Sequence, residues 1–213
     1  TQGEKTTELD ERLLPTPSLA LRQSRAVARE MADCAVRALN NALTALDHNT
    51  PELAQSIRDD EELCDHYEDI LGTYLVKLST QKMGRDESEE ATELLKTIGD
   101  FERISDHAVN ILSSAEEMEQ KGLTFSGSAL NELAILTSAI REILSLSLKS
   151  FSSQDVALAQ QVEPLEQVID QLKERMRTNH IMRLKNGDCS IETGFVLSDI
   201  LTNLERVSDH CSN

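Results

Sequence analysis

The acidic residues of two similar segments are the first candidates for chemistry in this chain. The sequence reads Glu-Arg-Ile-Ser-Asp-His at 102–107 and Glu-Arg-Val-Ser-Asp-His at 205–210. In each segment a glutamate and an aspartate stand four residues apart, which places both carboxylates on the same side of an α-helix. Carboxylate oxygens are hard ligands, and several of them together suit a multivalent cation. The repeated motif therefore predicts two related cation sites.

A further acidic pair precedes each segment at a similar distance. Glu61 and Asp65 precede the first segment, and Glu166 and Asp170 precede the second. If the helices that carry these pairs are neighbours, four carboxylates converge in each half of the chain. The predicted metal ligands are Glu61, Asp65, Glu102, Asp106, Glu166, Asp170, Glu205 and Asp209.

An isolated acidic pair is a weaker indication of a metal site than the repeated six-residue motif. Asp and Glu make up 38 of the 213 residues, so an isolated Glu-x-x-x-Asp pair arises readily by chance. A solvated acidic face is the alternative interpretation of every such pair. The six-residue motif is more informative because its whole context recurs.

The elements that must carry these acids are predicted to be helices. Only 3% of the residues are aromatic and 39% are hydrophobic, and the chain contains 8 glycines and 4 prolines. This composition favours helices packed on helices. Apolar periodicity and capping residues predict helices over about 18–47, 51–83, 86–120, 126–151, 154–185 and 191–213.

The order of these helices indicates an internal repeat. We expect an all-α fold of two tandem three-helix bundles of the spectrin-like kind. A linker over 1–17, containing Pro15-Thr16-Pro17, precedes a first repeat over 18–122 and a second over 123–213. The final helix is expected to be truncated, because the first motif is followed by about a dozen more helical residues and the second by three.

Composition and motifs argue against several classes of function. The formal net charge of −17 disfavours nucleic acid as a partner, because duplex binding depends on Lys and Arg. No glutamate stands three residues before any of the five histidines, so the chain lacks the Glu-x-x-His pairs of a di-iron carboxylate enzyme. No Gly-x-Ser-x-Gly and no glycine-rich phosphate loop is present. The sequence predicts a non-enzymatic protein, with an inert helical interaction or dimerisation module as one open alternative.

The residues at 100–107 and 204–210 make the chain resemble the PhoU family. Members of that family are two tandem three-helix bundles with acidic Glu/Asp-x-x-x-Asp motifs, and the resemblance extends from Ser18 to the end. It implies a regulatory role in phosphate uptake. It also implies divalent or trivalent metal ions, with iron or zinc favoured, bound by the acidic pairs.

The residues before the first helix add a second resemblance. Leu9–Leu14 and the following Pro15–Leu21 are similar to the segment that joins the membrane part of bacterial sodium/phosphate cotransporters to their PhoU-like tail. This implies a regulatory tail at the cytoplasmic side of the membrane, with a transporter's membrane domain as partner. The alternative is a free-standing PhoU-type regulator, and a homodimer is possible in either case. The 213 residues contain no apolar span of about 18 residues, so this part is expected to be soluble.

Overall fold

Six helices account for nearly all of the structure, a computed structural model that describes residues 9–213. They are α1 (Pro17–Asp47), α2 (Pro51–Ser79), α3 (Arg85–Lys121), α4 (Gly127–Ser153), α5 (Val156–Lys185) and α6 (Ile191–Ser212), preceded by a short 3-10 helix at Glu11–Leu13. The described residues form no β-strand, and the predicted all-α class is confirmed. Among these helices none is both long enough and apolar enough to cross a membrane.

Local capping chemistry marks where three of the helices begin. The side chains of Thr50, Ser126 and Ser190 each accept a hydrogen bond from the backbone N–H three residues later. This satisfies one of the N–H groups that a helix leaves without a partner at its start. At the end of α3, Gly122 adopts a left-handed conformation with φ of 62°, which a glycine does without strain.

The end of α2 differs from the prediction. The helix ends at Ser79, four residues before the predicted Met83. The Ser79 hydroxyl donates to the Val76 carbonyl and the Thr80 hydroxyl donates to the Lys77 carbonyl. The backbone N–H groups of Thr80 and Gln81 bond to the carbonyls of Lys77 and Leu78, three residues earlier, so the last turn tightens and the α-helix ends here.

Each half of the chain is a bundle of three helices. α1, α2 and α3 pack on one another, as do α4, α5 and α6, and the halves meet where α3 packs on α6 and α1 on α4. The large side chains buried at the centre of the first half include Leu39, Leu71 and Ile111, and those of the second include Leu136 and Leu204. The architecture agrees with tandem three-helix bundles, and the repeat boundaries 18–122 and 123–213 stay predictions.

Two histidines lie where the halves meet. The rings of His107 on α3 and His210 on α6 stack with their centroids 5.7 Å apart. His107 Nδ1 lies 2.9 Å from Asn203 Oδ1, and His210 Nδ1 lies 3.0 Å from Asp100 Oδ1. Each histidine that follows an acidic motif therefore contacts the opposite half, so the motifs are held in helices that also form this interface.

Part of the predicted linker over 1–17 is held against α1 and α2 through Asp10 and Leu14. Residues 1–8 lie outside the described residues. Asp10 receives a 2.8 Å hydrogen bond on its carbonyl from the Tyr74 hydroxyl and donates its N–H to Gln23 Oε1 at 2.7 Å. Leu14 is buried in the core. Burial of an apolar side chain and two satisfied backbone groups hold this segment in place.

Candidate metal centre

The first half brings five carboxylates together between α2 and α3. Glu61, Asp65 and Asp106 each place a carboxylate oxygen within 4.8 Å of the other two, and Asp65, Glu68 and Glu102 do the same. We call these five residues the first acidic cluster. All four ligands predicted for the first half belong to it, and Asp65 is shared by both sets of three.

The core of the bundle orients this cluster. Cys64 and Leu71 on α2, and Ile104 and Ala108 on α3, are at most 1% exposed and face the interior. The acids occupy the neighbouring side of each helix and are half-buried, apart from the exposed Asp65. Apolar burial at helical spacing therefore places the carboxylates beside the core, at the seam between two helices.

Glu68 was missed by the sequence analysis. It follows Asp65 by three residues, so Glu61, Asp65 and Glu68 lie along one side of α2 at spacings of four and three. The spacing of three residues between Asp65 and Glu68 is visible in the sequence, but a search limited to acids four residues apart does not find Glu68.

Burial and mutual repulsion make full ionisation of the first cluster unfavourable. Burial, followed by the hydrogen bond and charge of Asp106, raises the pKa of Glu102 to about 8. Burial and the neighbouring Asp65 raise the pKa of Glu61 to about 7, and the pKa of Glu68 is also raised, chiefly by burial. The nearby Arg103 lowers the pKa of Glu68, but burial and the neighbouring acids outweigh it, and a multivalent cation would supply further positive charge.

The second half forms a smaller cluster. Glu166 and Asp170 on α5 and Asp209 on α6 each place a carboxylate oxygen within 4.8 Å of the other two. Burial and the charge of Asp170 raise the pKa of Glu166 to about 7. Pro164 lies inside α5 two residues before Glu166, and the helix continues through it to Lys185. Three of the four ligands predicted for this half are therefore close together.

Glu205, the fourth, has a lysine partner. The Nζ atom of Lys173 lies 2.6 Å from Glu205 Oε1, 3.3 Å from Glu174 Oε1 and 3.8 Å from Asp170 Oδ1. Lys173 is only 7% exposed. Burial alone lowers the pKa of its ammonium, but the hydrogen bond and charge of Glu205, with Glu174 and Asp170, outweigh it, so the pKa is raised. Metal ligation by Glu205 stays a prediction, and the structure gives this carboxylate a cationic partner of its own.

The three groups of carboxylate oxygens have the chemistry that a metal cation needs from its ligands. In the first half, both sets of three oxygens come from carboxylates, as hard divalent or trivalent cations require. Glu166, Asp170 and Asp209 fit in the same way. Around Glu205 the fit fails, because the Lys173 ammonium is already there and offers no acceptor.

The raised pKa values predict how the metal-free protein responds to pH. An unfolded glutamate ionises near pH 4.5, whereas Glu61 and Glu166 hold a proton to about pH 7 and Glu102 to about pH 8. Between these limits the folded state binds more protons, so its stability falls as pH rises. We expect the melting temperature, measured in EDTA, to decrease from pH 5 to pH 8.

The same measurement on Glu102→Gln tests the cause. Glutamine cannot ionise, so this variant should lose less stability than the wild type over that range. Glu62→Gln, an exposed position on α2, is the control and should follow the wild type. Identical slopes for Glu102→Gln and the wild type would contradict this explanation.

Comparison with known proteins identifies related sequences. A sequence model described as the PhoU domain matches residues 28–115 and 133–213. A "Phosphate-specific transport system accessory protein PhoU homolog 1" from Thermotoga maritima is 26% identical over 180 residues, which cover 82% of this chain and 75% of the relative. A PhoU homolog from Borreliella burgdorferi is 25% identical over 190 residues, covering 85% and 83%.

Solved structures have the same fold. PhoU from Pseudomonas aeruginosa superposes with a TM-score of 0.82 at 21% identity and covers 93% of each chain. The phosphate transport system regulatory protein PhoU from Streptococcus pneumoniae gives 0.80 at 18% identity, over 92% of each chain. The matched family ranges include every member of both acidic clusters. The chain belongs to the PhoU family, whose named members are accessory and regulatory proteins, and it is not an enzyme.

Proposed function

We propose that this protein is a cation-binding regulator of phosphate transport. The observation that carries the proposal is the match of the PhoU domain to both halves, together with the convergence of five carboxylates in the first. The relatives described above are named as accessory proteins of phosphate-specific transport systems. Regulation in this protein would act through its surface and its bound cations.

The relatives favour one of the two forms of this role. Their names refer to phosphate-specific transport systems, and this supports the PhoU-type regulator that the sequence analysis held as an alternative. The sodium-dependent cotransporter tail depends only on the resemblance of residues 9–21. In our proposal the partner is a membrane-embedded phosphate transport system, contacted from the cytoplasmic side. Homodimer formation stays a prediction.

The acidic clusters would give this regulator its cation dependence. Asp65 belongs to both oxygen sets of the first cluster, so it would be a ligand in either set. Glu61 and Asp106 would complete one set, and Glu68 and Glu102 the other. A bound cation would offset the repulsion among these carboxylates and so stabilise the contact between α2 and α3. Iron and zinc are the ions proposed.

Phosphate uptake in cells tests the regulatory role. The chain is produced in a bacterium whose own gene for a PhoU protein has been deleted, and uptake of labelled phosphate is measured in phosphate-rich and phosphate-starved cultures. We expect the chain to change the ratio of the two uptake rates. An unchanged ratio, with the protein present at normal levels in the cells, would reject the role in that system.

Thermal unfolding tests the cation dependence. Protein stripped with EDTA is titrated with Mn²⁺, Zn²⁺ or Fe³⁺, because a ligand that binds only the folded state raises its melting temperature. At about 100 times the dissociation constant the stabilisation is about 2.7 kcal/mol, which corresponds to several degrees. The inert helical module predicts no shift with any of the three ions, and that result would support it.

A further inference from the structure

The two acidic clusters correspond residue by residue, with one difference. A shift of 105 residues along the sequence takes Glu61 to Glu166, Asp65 to Asp170 and Glu68 to Lys173. A shift of 103 residues takes Glu102 to Glu205 and Asp106 to Asp209. The oxygen set of Glu61, Asp65 and Asp106 thus recurs as Glu166, Asp170 and Asp209. The set of Asp65, Glu68 and Glu102 recurs as Asp170, Lys173 and Glu205.

The contacts of Lys173 match this correspondence. Its ammonium contacts Asp170 and Glu205, the counterparts of the two acids that Glu68 joins in the first half. Glu174, at the next position, adds a third carboxylate at 3.3 Å. A negative charge in one half is therefore replaced by a positive charge in the other, at the same place in the bundle.

The burial of this lysine indicates that the ion pair is part of the structure. The Lys173 side chain is 9% exposed, whereas that of Glu205 is 30% exposed. A buried ammonium destabilises the fold unless it is paired with opposite charge and hydrogen-bonded. The carboxylates of Glu205 and Glu174 meet both requirements for Lys173. Glu205 is then unavailable as a ligand of a second metal ion, because the positively charged ammonium of Lys173 already lies beside its carboxylate.

We propose that Lys173 is a built-in substitute for one cation, so that the second half binds one metal ion fewer than the first. This inference rests on the proposed cation binding. It adds the number of metal positions in each half, which is two adjacent positions in the first half and one in the second. The part of the second half around Glu205 keeps its charge balance without metal. The first half depends on metal at both of its positions.

The consequence is an asymmetric response to metal depletion. Chelation would leave the five carboxylates of the first cluster unbalanced, while Lys173 would continue to hold α5 and α6 together through Glu205. Amide hydrogen exchange reports this directly, because local opening is measured helix by helix. EDTA should speed exchange in α2 and α3 of the full chain more than in α5 and α6.

Reciprocal substitutions test the assignment. EDTA-stripped chain is titrated with Mn²⁺, and the free ion is counted by its electron paramagnetic resonance signal. With three carboxylates at each position, we expect Lys173→Glu to bind about one Mn²⁺ more per chain than the wild type, and Glu68→Lys about one fewer. In EDTA, Glu68→Lys should also melt at a higher temperature than the wild type, because its ammonium would pair with Glu102 and Asp65.

Matched controls separate these effects from the change in net charge. Lys149→Glu on α4 and Glu62→Lys on α2 make the same charge changes at exposed positions and should bind as the wild type does. If Lys173→Glu does not fold, Glu68→Lys decides the question by its metal count and its melting temperature. Loss of one Mn²⁺ with a raised melting temperature supports the proposal.

The outcomes also separate this inference from the proposed function. A wild type that binds no Mn²⁺, Zn²⁺ or Fe³⁺ would reject cation binding altogether. A wild type that binds Mn²⁺, with Lys173→Glu gaining none and Glu68→Lys losing none, would overturn the role of Lys173 alone. Equal changes of exchange in α2–α3 and α5–α6 on chelation would overturn it as well.

Discussion

Asp65→Asn is expected to weaken cation binding by the first half more than any other single substitution in the chain. Asp65 is the one carboxylate common to both oxygen sets of the first cluster, so its loss affects both positions at once. Removing a residue that only supports a metal ligand costs about 10- to 100-fold in affinity, and loss of a shared ligand should cost about 100-fold or more. Titration of EDTA-stripped protein with Mn²⁺ measures the loss.

Two further variants are compared with Asp65→Asn. Asp59→Asn makes the same chemical change on α2 at an exposed position and should bind Mn²⁺ as the wild type does. Asp170→Asn, the counterpart in the second half, belongs to one oxygen set and should remove about one ion while leaving the first half intact. Unchanged Mn²⁺ affinity and stoichiometry for Asp65→Asn would contradict the assignment of the first cluster as a metal centre.

Ile104→Ala is expected to lower the free energy of unfolding by about 2–5 kcal/mol. Ile104 is 1% exposed and lies on α3 between Glu102 and Asp106, where it contributes to the core of the first bundle. Truncation removes buried apolar surface and leaves a cavity that the surrounding helices fill only partly. Urea unfolding followed by circular dichroism gives the change in free energy.

The control for this substitution is Val76→Ala. Val76 lies on α2 and is 56% exposed, so its truncation should change the free energy of unfolding by less than about 0.5 kcal/mol. Saturating Mn²⁺ should recover part of the loss in Ile104→Ala, because ligands that bind the folded state stabilise it by mass action. A loss for Ile104→Ala no larger than that for Val76→Ala would show that α3 does not need this side chain to hold the cluster.

The helices and the repeat could be predicted from the sequence because they depend on local patterns. Apolar residues at helical spacing, with Thr50, Ser126 and Ser190 as caps, determine α-helices almost wherever they occur. The recurrence of Glu-Arg-aliphatic-Ser-Asp-His indicated the two halves. The end of α2 was misplaced because the backbone N–H groups of Thr80 and Gln81 bond three residues back, a change that apolar periodicity does not report.

The candidate site was predictable in part. Glu61, Asp65, Glu102 and Asp106 were all predicted, because residues four apart on a helix must share a side and the first half places those two sides in contact. Glu68 lies on the same side of α2 as Glu61 and Asp65, but its contact with Glu102 depends on the register at which α2 and α3 pack. A sequence pattern on one helix does not determine which residues of the next helix it will meet.

Two properties of this protein therefore have different origins. Its all-helical character, its duplication and its carboxylate pairs follow from the sequence by itself, since helical spacing is a property of each segment alone. The charge difference between the halves is present in the sequence as Glu68 against Lys173, but its effect was decided by tertiary structure, because only the packing of α5 on α6 brings the ammonium of Lys173 to within 2.6 Å of Glu205. Electrostatic interactions depend on distances between helices, and the folded bundle alone determines these.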